Sequence, residues 1–91
     1  MTWGCQAGMA VIDFTPSASA SVVSYQLRYV PGPDYRTDDE SIGQTISAGS
    51  PLHFSTLAGL PVSSVTASYR VYAITADGNE HGSATVVITR T

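Results

Sequence analysis

Two histidines, one cysteine and seven carboxylates are the side chains of this 91-residue chain with metal-binding or acid–base potential. His53 and His81 have no second histidine at i+3 or i+4, so neither forms a local metal pair. Cys5 stands alone, which removes both an internal disulfide and a cysteine-based zinc site. With twelve serines a Ser–His–Asp arrangement is arithmetically available, yet no Gly-x-Ser-x-Gly elbow presents a nucleophile. All four basic residues are arginine (Arg28, Arg36, Arg70 and Arg90), so a P-loop lysine, a Schiff-base lysine and a Ser–Lys dyad are excluded. A chain this short has little room for a substrate cleft beside a core. The expectation is a protein without catalytic residues, cofactor or metal.

Asp34, Asp38, Asp39 and Glu40 place four of the seven acids within seven residues. A hard cation wants several oxygens around one point, but this spacing is not that of an EF-hand loop, and Asp77-Gly78-Asn79-Glu80 is an equally partial fragment. The cluster reads as a solvated acidic loop, with Arg36 partnering one of its acids. Net charge is −3 and no stretch is basic, so a surface that tracks phosphates, and with it nucleic acid as a partner, is not expected. No apolar run approaches the roughly 18 residues of a membrane span. Met1 to Cys5 lack the basic start and apolar stretch of a signal peptide, so an export signal would lie upstream in a longer parent. Neither an Arg-Gly-Asp sequence nor an Asn-x-Ser/Thr sequon occurs.

These residues must be positioned by strands. Apolar residues make up 43% of the chain and charged ones only 12%, with abundant Val, Ile, Thr and Tyr, a composition that favours sheet over surface helix. The nearest helical candidate, Ala18 to Val23, is short, interrupted by serine and preceded by Pro16. Alternation with period two predicts strands at Met9–Phe14, ending at Pro16–Ser17, and at Tyr25–Tyr29, ending at Pro31-Gly32-Pro33-Asp34. Further strands are expected around Ile42–Ser47, Leu52–Leu57, Ser68–Thr75 and Ala84–Thr89, with His81 in a turn loop. Short runs with such turns indicate one all-β domain over 1–91, an antiparallel sandwich.

Three segments in order resemble the fibronectin type III family. Tyr25-Gln26-Leu27-Arg28-Tyr29 is similar to its strand C, Leu57-Ala58-Gly59-Leu60-Pro61 to its corner between strands E and F, and Tyr69 to Thr75 with the following Gly-containing loop to strand F and the FG loop. The resemblance implies about seven strands, with Phe14 in place of the family's core tryptophan on strand B. The tyrosine of its corner hydrogen bond would register at Ala67, so the corner should be held differently. Only eight residues precede the strand B run, so strand A is expected to be short or absent. Either Thr2–Gln6 forms a stub with Trp3 packed inward, or strand B keeps an exposed edge at Met9, Val11 and Asp13 through which a second copy assembles.

On strand E the expected register turns His53 inward with Ser55 and Leu57, leaving Leu52 and Phe54 outside unless a bulge intervenes. On the C–F sheet, Gln26, Arg28 and Val30 should face outward beside Arg70, Tyr72 and Ile74, with Tyr35 exposed in the following loop. Arg and Tyr are common anchors of protein interfaces, and Arg28, Val30, Tyr35, Arg70, Tyr72 and Ile74 form the candidate protein-binding face. The resemblance implies an accessory, spacing or protein-binding module of a larger, extracellular protein, its partners being other proteins or neighbouring domains, and arginine without lysine, with abundant Ala and Gly, points to a bacterial or phage source. The alternatives are the edge-driven homodimer and a carbohydrate-binding accessory module, for which Trp3, Tyr35 and Tyr72 are scattered along the sequence.

Overall fold

The computed structural model describes residues 2–15, 21–49 and 51–90. The predicted stop at Pro16–Ser17 and the Ala18–Ala20 part of the helical candidate lie outside them, while Val22 and Val23 belong to a strand. Among the described residues eight strands form: β1 (Thr2–Gln6), β2 (Met9–Asp13), β3 (Val22–Pro31), β4 (Ser41–Ser47), β5 (His53–Thr56), β6 (Thr66–Thr75), β7 (Glu80–Gly82) and β8 (Val86–Thr89). One 3-10 turn, Thr37–Asp39, interrupts the acidic connection. All pairings are antiparallel, in one sheet ordered β1-β2-β5 and another ordered β4-β3-β6, with β7 and β8 both on the far side of β6. Among the described residues no helix is long and apolar enough to cross a membrane.

Alternation decides which side chains enter the sandwich. β2 turns Ala10 and Ile12 inward, β3 Tyr25 and Leu27, β6 Ala67, Tyr69 and Val71, and β8 Val86 and Ile88, all of them buried together. Phe14 follows β2 and fills the space expected of the large aromatic, stacked on Phe54 at 5.4 Å and edge-on to Tyr25 at 5.0 Å. Each fully buried Val, Leu, Ile or Phe among them contributes about 1.5–3 kcal/mol through removal from water. β5 takes the register opposite to the expected one: Phe54 is fully buried and Leu52 packs on the core, so His53 and Ser55 face out. Burying a phenyl ring outweighs burying an imidazole, and no bulge is needed.

The segment before β2 forms a short strand of five residues. β1 pairs along the whole of β2, from Thr2 opposite Asp13 to Gln6 opposite Met9, while β5 bonds the other side of β2. Met9, Val11 and Asp13 therefore carry no unpaired ladder, and the outer edges of this sheet belong to β1 and β5. Trp3, opposite Ile12, stands on the core-facing side as expected, but at this outer edge it stays half exposed rather than packed in. The β1–β2 turn holds Ala7 and Gly8 both at positive φ, 54° and 79°, as a two-residue type I′ hairpin requires.

The corner between β5 and β6 is closed by a tyrosine after all. The Tyr69 hydroxyl donates to the Ala58 carbonyl at 2.6 Å, and the Leu60 N–H donates to Leu57 O at 2.9 Å around Gly59, whose φ of +82° suits a type II turn. A Cβ on Gly59 would lie 2.9 Å from that of Ala67. Position 67 must stay small for the turn to seat there, and the bonding hydroxyl comes from two residues further along the same face.

Two stability changes follow. Tyr69→Phe strips the Ala58 carbonyl of its partner and should cost about 1–3 kcal/mol. Ala7→Asn relieves an alanine held in the left-handed region and should add about 0.5–1 kcal/mol. Both should appear in urea denaturation as midpoint shifts at unchanged slope.

Candidate functional site

The outer face of the β3–β6 pair carries the densest polar constellation of the described residues. Register sets Arg28 directly opposite Arg70, a like-charge pair that destabilises a sheet unless offset. The offset comes from the connection after β3, which folds back over the face. Arg28 Nη1 donates to Glu40 Oε1 at 2.8 Å and its Nη2 to Glu80 Oε2 at 2.5 Å, while its Nε reaches Gln26 Oε1 at 2.6 Å. Two hydroxyls converge on the second Glu40 oxygen, Tyr35 at 2.5 Å and Tyr72 at 3.0 Å. Arg28 also stacks over Tyr72, 4.1 Å from the ring centroid, and Arg70 over Tyr35 at 4.5 Å. The Arg70 Nε donates to Thr85 Oγ1 at 2.8 Å.

These contacts move the acid–base equilibria in a consistent sense. Glu80 first raises the Arg28 pKa above its ordinary value, against burial, with Glu40 adding to the rise, so the guanidinium stays charged. Burial by itself pushes the Glu40 carboxyl upward, but Tyr35, Tyr72 and Arg28 together outweigh it and hold the group below its ordinary 4.5. Burial, then the hydrogen bond to Glu40, pushes the Tyr35 hydroxyl far above its ordinary range. The arrangement can bind protons and hold a loop. It presents no free nucleophile beside a base.

Of the candidate face, then, Arg28, Tyr35, Arg70 and Tyr72 are brought together, but they are engaged with one another and with Glu40. Val30, expected outward, is fully buried, and Tyr72 is only 8% exposed. Ile74 is half-buried further along, opposite Ser24 and Glu80. A partner would meet Glu80, nearly half exposed, before it met the arginine beneath. The acidic loop also divides: Arg36 pairs with Asp39 at 3.3 Å on the surface, as expected, whereas Glu40 turns toward the sheet and is largely covered. Among the described residues no three His, Cys, Asp or Glu side chains gather where they could hold a metal ion.

The histidines lie elsewhere. His53 Nδ1 sits 2.7 Å from Asp13 Oδ1 on the outer face of the other sheet, both side chains about half exposed. Ser55, its neighbour on that face, directs its hydroxyl to the Met9 sulfur at 3.8 Å. His81 is exposed in β7 and borders an apolar cleft of about 280 Å³ with Phe14, Tyr25, Val71 and Ala73. No family model matches this chain, and neither curated proteins nor solved structures show significant similarity to it.

Glu40→Ala leaves two hydroxyls and a guanidinium short of their acceptor and should cost about 1–3 kcal/mol in chemical denaturation. Because the folded pKa of Glu40 is depressed, its contribution is complete above the unfolded value of 4.5 and is lost as pH falls through the folded value. Asp77, held down first by the Thr75 hydroxyl and next by the Asn79 N–H, works in the same direction. The acid limb of stability should therefore be shallower in Glu40→Gln than in the parent, measured by thermal melts from pH 7 downward. Matching limbs would mean that the carboxylate is not held by the loop contacts.

Proposed function

We propose that this chain is a non-catalytic β-sandwich module placed in series within a larger, extracellular protein, where it spaces and orients neighbouring domains. The observation that carries this reading is the placement of the two described ends. Thr2 pairs with Asp13, beside Phe14, whose ring meets Tyr25 opposite Ala73 of β6. At the other end, Arg90 exchanges backbone hydrogen bonds with Ser64 and Val65, next to Thr66 at the start of β6. From Thr66 to Ala73 the strand covers roughly 23 Å at about 3.3 Å per residue. Chain entering at one pole and leaving at the other is what a serial spacer needs.

The fibronectin type III reading is supported by the strand order, with β1-β2-β5 in one sheet and β4-β3-β6 in the other, and by the Tyr69 hydroxyl spanning the β5–β6 corner. The locked outer face of β3–β6 favours a rigid spacer over a module that binds proteins through Arg28 and Tyr72. Stiffness also has a visible source at the exit pole. Arg90 Nη1 donates to the Leu60 carbonyl at 3.0 Å, and its guanidinium lies against Gly8, so the last described residue is tied to two separate turns.

Light scattering over about a hundredfold dilution should give a constant monomer mass. A two-copy tandem should show, by small-angle X-ray scattering, a maximum dimension near twice that of one copy. A dimeric single chain, or a tandem folded side by side, would overturn the reading.

A further inference from the structure

The inner faces of the two sheets part at the pole where β2 ends. β3, β6 and β7 lie side by side there, and their registers line up Tyr25, Ala73 and His81 in one row on one face of the sheet. Tyr25 is buried in the core, so this row belongs to the inner face. Its middle member is the small one. The two ring-bearing residues stand two strand spacings apart, roughly 9–10 Å, with only a methyl group between them. Phe14, from the facing sheet, meets Tyr25 edge-on and roofs the space, and Val71 closes one end. The result is the apolar cleft of about 280 Å³. Phe14 and Ala73 point into the sandwich, yet neither is fully buried. His81 is exposed at the rim, and its imidazole makes no hydrogen bond among the described residues.

We propose that this cleft is a binding site for a small neutral phenol, a single aromatic ring carrying a hydroxyl. The walls select the chemistry. An enclosed apolar cavity of about 150 Å³ already takes benzene, so this open cleft has room for one substituted ring. Phe14, Tyr25 and His81 offer ring faces and edges, which favour a flat aromatic partner over an aliphatic one. The imidazole can donate to a ligand hydroxyl or accept from it. An anion would meet Asp77, whose carboxyl is held down chiefly by the Thr75 hydroxyl and in part by His81 itself. A sugar would press hydroxyls against Phe14 and Val71, which offer them no partner. The rim suits a free ligand rather than a bound peptide. β7 is only three residues long, and Ser83 after it uses both its N–H and its hydroxyl on Val71, so no ladder is left there for a chain to follow. The site lies between the sheets and is independent of the spacer role.

The test titrates the full chain with p-cresol to about 10 mM, the range of weak affinities, and follows amide and methyl signals by NMR. Saturable shifts should centre on Phe14, Tyr25, Ala73 and His81. Ala73→Leu, which fills the floor of the cleft, should weaken binding at least tenfold while the melting temperature stays level or rises. His81→Phe keeps a ring in the wall but removes the hydrogen bond; it should weaken p-cresol about fivefold and leave toluene binding unchanged, which keeps the test open if leucine disturbs the fold. No saturable shift overturns the proposal, as does undiminished binding by a folded Ala73→Leu or an equal response of p-cresol and toluene to His81→Phe. N-acetyltyrosinamide binding tenfold tighter than p-cresol would assign the cleft to a tyrosine of another protein segment and also overturn it.

Discussion

Arg28 and Arg70 face each other across the longest strand pair in the molecule, and much of the outer architecture is organised around that repulsion. The register cannot slip to relieve it. Moving β3 by one residue against β6 would turn Tyr25 and Leu27 out of the core and Gln26 and Arg28 into it. The apolar face thus imposes the like-charge pair on the polar face. Glu40, Glu80 and two tyrosine rings supply the compensation: Glu40 and Tyr35 come from the loop after β3, Glu80 from the start of β7 and Tyr72 from β6 itself. The acidic connection is held to the sheet because one of its carboxylates is needed there.

The inner face has its own constraint at the β5–β6 corner. Gly59, Ala67 and Tyr69 act together: the turn bends through Gly59, the methyl of Ala67 leaves space for it, and the Tyr69 hydroxyl pins the turn by the Ala58 carbonyl. A tyrosine at position 67 would occupy the space the glycine uses. The hydroxyl at position 69 reaches the same backbone from deeper in the core, where burial keeps it protonated and able to donate. The split of the last strand into β7 and β8 is handled in a similar way. Between them Ser83 bonds Val71 twice, donating its N–H to the Val71 carbonyl at 2.8 Å and accepting the Val71 N–H on its hydroxyl at 3.1 Å. The side chain replaces a ladder contact that the irregular backbone cannot make.

The sandwich class was legible because β2, β3, β6 and β8 alternate cleanly and end at turn residues. β5 was misread because Leu52-His53-Phe54-Ser55-Thr56-Leu57 places apolar groups on both faces of a strand too short for alternation to decide. The packing of Phe54 against Phe14 decides it instead, a contact between segments far apart in sequence. β1 was underread for a related reason: Thr2-Trp3-Gly4-Cys5-Gln6 has little pattern, and its strand character comes from pairing with β2. The network on the β3–β6 face left one usable sign. Two arginines expected on one outward surface, in a chain so poor in charge, require nearby carboxylates. Which of Asp34, Asp38, Asp39 and Glu40 answers that need depends on how the 3-10 turn aims the loop, and residue types do not encode this locally.

The two outer faces end up with opposite characters. On β3–β6, long side chains reach one another, so Arg28, Tyr35 and Tyr72 are all engaged within the molecule and a ligand would have to displace intramolecular bonds to reach them. On β1-β2-β5 the side chains are short or missing. Thr2, Gly4 and Val11 make no side-chain bridge between strands, Ser55 reaches only the Met9 sulfur, and the Asp13–His53 hydrogen bond is half exposed. A face of the first kind stiffens the sheet beneath it. A face of the second kind contributes less to stability, and its unfilled polar groups remain free to be satisfied from outside. The face bearing Gly4, Val11 and Asp13 is therefore the less tightly held of the two, and the sheet beneath it relies on its inner side chains and its ladder for stiffness.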